Sequence, residues 1–62
     1  MKEVAITVTL TGLEAWQYAQ FLKRVCFSHY RENATNDGEA YTMVHAGEKI
    51  RDALREMGYA PR

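Results

Sequence analysis

The sequence predicts an α+β fold, one N-terminal strand followed by two main helices with a short extra turn between them. Three observations carry that expectation. Residues 3–10 alternate apolar and polar side chains, residues 12–26 repeat apolar side chains at helical spacing, and residues 38–57 do so over a longer run. The chain reads as one small domain spanning residues 1–62, with no internal repeat, low-complexity stretch or linker.

In the first element, Val4, Ile6, Val8 and Leu10 point one way, and Glu3, Ala5, Thr7 and Thr9 point the other. Its β-branched residues suit a half-buried strand. No second strand stands out, and a solitary strand leaves a row of backbone groups unpaired. The expected mate is the same strand of a second copy, antiparallel about a two-fold axis, with Val4, Ile6 and Val8 forming the dimer strand. A hairpin with a short second strand near Tyr59 is the alternative.

Thr11-Gly12-Leu13-Glu14 has the form of a capping box and opens a helix over 12–26. Ala15, Tyr18, Ala19, Leu22, Val25 and Cys26 make its apolar face, with Trp16 and Phe21 on the flanks. Residues 27–37 are irregular; Ser28 can cap a short turn, and Thr35 to Gly38 form a loop by composition.

The helix over 38–57 has the strongest pattern. Met43, Ala46, Gly47, Ile50, Ala53, Leu54 and Met57 fall on one stripe. Asn36 or Asp37 supplies the N-cap, with Glu39 placed for a capping box after Asn36. Gly58 suits the left-handed residue after the helix, and Pro61 forbids continuation, leaving residues 58–62 as a tail. Gly47 weakens its helix by about 1 kcal/mol relative to alanine, which points to a close packing contact.

Sixty-two residues bury roughly 60% of their unfolded surface, so such a chain needs a staple. A single cysteine forms no internal disulfide and suits a reducing cytoplasm. No run approaches the roughly 20 apolar residues of a membrane span, and no signal peptide opens the chain. Association into a homodimer is the staple that remains. Eight basic residues balance eight acidic ones, giving no net field to attract nucleic acid or anionic lipid.

Chemistry is sparse. Cys26 and His29 have a C-x2-H spacing, but one Cys, two His and Asp37 are an unusual zinc set, and Cys26 falls on the apolar stripe as a core residue would. A buried thiol is inert, no orienting acid accompanies it, and a chain this short builds little substrate volume. The glycines are scattered and form no phosphate loop. No enzyme, cofactor or metal is therefore expected. Phe27, Tyr30 and Arg31 combine aromatic and guanidinium groups on the irregular segment, and are the expected protein-binding residues.

The order strand, helix, helix over residues 3–57 resembles ribbon–helix–helix repressors and antitoxins. That resemblance implies a DNA-binding dimer reading the major groove through Glu3, Ala5, Thr7 and Thr9, a set without Arg or Lys. The stretches TVTLT, AWQYAQFLKRV, FSHYR, EAY and REMGYAPR are similar to those of short uncharacterised proteins of bacterial plasmids, integrative elements and prophages. The second resemblance implies an accessory protein of a mobile element that binds a host or element-encoded protein. Anti-CRISPR inhibitors are the best-known proteins of that kind. The functional expectation is a non-enzymatic protein-binding module or inhibitor, with the DNA-binding repressor or antitoxin as alternative.

Overall fold

The computed structural model describes residues 2–62, which form three helices: α1 (Gly12–Arg24), α2 (Phe27–Glu32) and α3 (Asp37–Glu56). The fold is all-helical among the described residues, and the α+β expectation is corrected. Residues 2–11 precede α1 as an arm without strand structure. Val4, Ile6 and Val8, expected to form the dimer strand, stand 81%, 73% and 69% exposed. Alternation specifies which way side chains point, whereas a strand also requires a second edge to bond. No such edge occurs among the described residues, and the tail around Tyr59 does not supply a hairpin partner. The ribbon–helix–helix likeness loses its ribbon with this correction.

Local chemistry sets the helix ends. Glu14 N–H donates to Thr11 Oγ1 at 3.0 Å, and Thr11 N–H donates to Glu14 Oε1 at 2.8 Å, completing the expected capping box. The first helix stops at Arg24, short of the expected residue 26, because Val25 turns extended at ψ 133°. Cys26 then caps α2: its N–H donates to His29 Nδ1 at 3.0 Å. Cys26 is therefore at a helix junction and exposed, not in the core as its place on the apolar stripe suggested.

At the start of α3, Glu39 N–H donates to Asn36 Oδ1 at 2.8 Å. The return half of that box is absent, since Glu39 Oε2 accepts from Thr35 Oγ1 instead. At the far end Tyr59 N–H bonds Leu54 O and Gly58 N–H bonds Arg55 O, a Schellman motif. Gly58 takes φ 95° there, as a left-handed terminator must.

Helix α3 is the hub: it packs against both α1 and α2, which do not pack on each other. Its contact face comprises buried Ala40 and half-buried Met43, Val44, Gly47 and Leu54. The partner face of α1 is Ala15, Ala19 and Leu22. Met43, Gly47 and Leu54 of the expected stripe take part, whereas Ala46, Ile50, Ala53 and Met57 remain exposed. Those four form a second apolar stripe, about a quarter turn round the helix from the first.

A candidate protein-docking groove

The second stripe of α3 faces a matching one on α1. Tyr18 and Phe21 lie off the Ala15–Ala19–Leu22 contact line and stack on each other, centroids 5.7 Å apart and planes 16° from parallel. Together with Ile50, Ala53, Leu54 and Met57 of α3 they wall a groove of about 850 Å³. The arm completes it with Ile6, Val8 and Leu10. Alternation thus survives as geometry over part of the arm even though no strand forms, because Ile6, Val8 and Leu10 line the groove while Val4 lies outside it.

Polar groups are few in this groove. Gln17 and Glu14 sit on its margin, and the Glu14 carboxylate is already engaged by the Thr11 N–H. Phe21 is 54% exposed and Met57 77%. An apolar trough without convergent charged groups suits a protein surface better than a polar metabolite. The sequence pattern puts Tyr18 on the apolar face of α1 with Phe21 on its flank, and Ile50, Ala53, Leu54 and Met57 on the apolar stripe of α3. The signal that identifies the groove is stripe width: each helix carries more apolar arc than one neighbouring helix covers.

The structure brings Phe27, Tyr30 and Arg31 together on α2, but engages each of them within the chain. Phe27 packs on Tyr41 with centroids 4.8 Å apart. Tyr30 is half-buried, with its hydroxyl over Gly47. Arg31 Nε donates to Asp37 Oδ1 at 2.7 Å, and its Nη1 donates to Ala34 O at 3.0 Å. Phe27 and Tyr41 remain 40% and 55% exposed. On α3, Tyr41 lies on the opposite side of the contact stripe from Ile50, so this aromatic patch and the groove face different directions.

Elsewhere several polar side chains hold helix ends and junctions, whereas the buried Gln20 Oε1 has no hydrogen-bond partner among the described residues. Cys26 and His29 share the cap hydrogen bond, while Asp37 bonds Arg31. Among the described residues no three His, Cys, Asp or Glu side chains gather as a metal site. No helix among them is long and apolar enough to cross a membrane.

The chain belongs to a family of unknown function, DUF7706, whose model matches residues 1–62. No curated protein and no solved structure matches it.

Proposed function

We propose that the chain is a non-enzymatic protein-binding module whose principal docking surface is the groove between α1, α3 and the arm. The observation that carries this reading is the groove itself, walled by apolar residues of all three segments. Burying such a surface is favourable by roughly 25 cal/mol per Å², and another polypeptide is the occupant that buries it most fully. The exposed thiol of Cys26 suits a reducing cytoplasm as the place of action.

Phe27, with Tyr41, offers a second face for an outside partner. Their tilted rings are partly exposed, and Arg31, one helical turn on from Phe27 in α2, is held by its ion pair with Asp37. The likeness to small proteins of plasmids and prophages supports a partner encoded by the host or by the element. Inhibition of a host defence complex is one form such docking takes. The DNA-reading alternative has less to support it: an arm without a paired ribbon, whose outward residues Glu3, Ala5, Thr7 and Thr9 carry no cation.

Site-specific photo-crosslinking in cells tests the proposal. A benzophenone side chain replacing Phe21, and separately Phe27, should give adducts with polypeptides identifiable by mass spectrometry. The same group at Glu32 should give none. Absence of polypeptide adducts from both aromatic positions would contradict the docking function.

A further inference from the structure

Resting on that docking reading, we infer that the occupant of the groove is a second copy of this chain, so that two grooves cover each other in a homodimer. The contact uses the helix walls, and requires no strand pairing between the arms.

Surface area is the first argument. The chain exposes 5348 Å². A compact monomer of 7.1 kDa exposes about 4,100 Å² by the scaling of folded proteins. The excess over the whole chain, the exposed arm included, is about 1,200 Å², which leaves room for the roughly 800 Å² that each partner contributes to a standard interface. Dimension agrees: the radius of gyration is 12.6 Å, against about 10.6 Å for a compact chain of this length.

The core is the second argument. Among the described residues only three alanines and one leucine are buried: Ala15, Ala19, Ala40 and Leu22. Most of the large apolar side chains lie outside it, and Ile6, Val8, Tyr18, Phe21, Ile50 and Met57 among them line one groove. A domain holds together by covering such faces, and a second copy brings an equal area of the same chemistry.

Shape and charge are the third. An isologous contact needs one patch that fits itself. The stacked Tyr18–Phe21 pair supplies a ridge, and the space between it and Ile50–Met57 supplies a trough. Each ridge can therefore enter the other copy's trough. Equal numbers of acidic and basic residues leave no net repulsion between copies.

Sedimentation equilibrium on the full chain, with far-UV circular dichroism on the same samples, tests this inference. At micromolar concentration the wild type should be helical with twice the 7.1 kDa chain mass. Ile50→Ala and Met57→Ala, mild enough to keep the fold, should each raise the dimer Kd about tenfold. Glu32→Lys, outside the groove, should leave it unchanged. A helical monomer in the wild type would overturn the inference, as would a dimer whose Kd ignores both groove substitutions. A monomer whose Phe21 probe still cross-links to another protein would overturn only the self-pairing. A monomer giving no adduct from either Phe21 or Phe27 would remove the docking function too.

Discussion

Tyr30 holds its hydroxyl over Gly47, where a β-carbon on residue 47 would collide with it and would also touch Leu22 Cδ2 at 3.6 Å. One glycine is thus the point at which α2 and α1 close on α3. Alanine at this position gains about 1 kcal/mol of helix propensity but overpacks the junction, a change that typically destabilises by about 1–3 kcal/mol. Gly47→Ala should therefore lower the thermal midpoint. In a Tyr30→Phe background, where the hydroxyl is gone, the same substitution should be neutral or stabilising. Equal effects in both backgrounds, measured by thermal denaturation at one protein concentration, would contradict the contact.

The Thr11 cap gives a second expectation. Thr11→Ala loses the oxygen that accepts Glu14 N–H, and should destabilise by about 1 kcal/mol. Thr11→Ser keeps that oxygen and should recover most of the loss. Urea denaturation of the three proteins checks this, and an alanine variant as stable as wild type would show the box to be idle.

Arg31 and Asp37 make a short ion pair, yet their side chains are 43% and 76% exposed. Solvent screening limits such a pair to at most about 1 kcal/mol. Arg31→Ala should accordingly leave the helical spectrum unchanged and lower stability only slightly. If the aromatic patch docks an outside protein, Phe27→Ala and Arg31→Ala should weaken its capture without altering the oligomeric state. Collapse of the fold in Arg31→Ala would instead make the residue structural.

A groove closed by a second copy also makes stability depend on concentration, because association binds the folded state alone. The thermal midpoint should rise with each dilution step reversed. Ile50→Glu, which places a charge on the groove wall, should abolish that dependence. A midpoint independent of concentration in the wild type would count against closure of the groove.

Features decided within a few residues were legible in the sequence. Thr11 with Glu14, Asn36 with Glu39 N–H, and Gly58 after α3 act where their spacing says they should, since caps need only local geometry. The arm was misread because Val4, Ile6, Val8 and Leu10 specify a face, while pairing depends on an edge that nothing nearby provides. The break at Val25 was invisible because no proline or glycine marks it; what stabilises it is the His29 imidazole accepting from Cys26 N–H. The α3 stripe was found but centred wrongly. Ala40, Val44 and Gly47 let α1 and α2 approach closely, and that contact leaves Ile50, Ala53 and Met57 to the groove.

Isotope-filtered NOE spectroscopy on a mixture of labelled and unlabelled chains addresses the groove most directly. It reports contacts between copies at named methyl groups and rings, independently of any stability measurement. The expected result is intermolecular contact from the Ile50 and Met57 methyls to the Tyr18 and Phe21 rings, with none at Glu32. A folded chain showing no intermolecular contact at Ile50, Met57, Tyr18 or Phe21 would contradict a groove covered by its own copy.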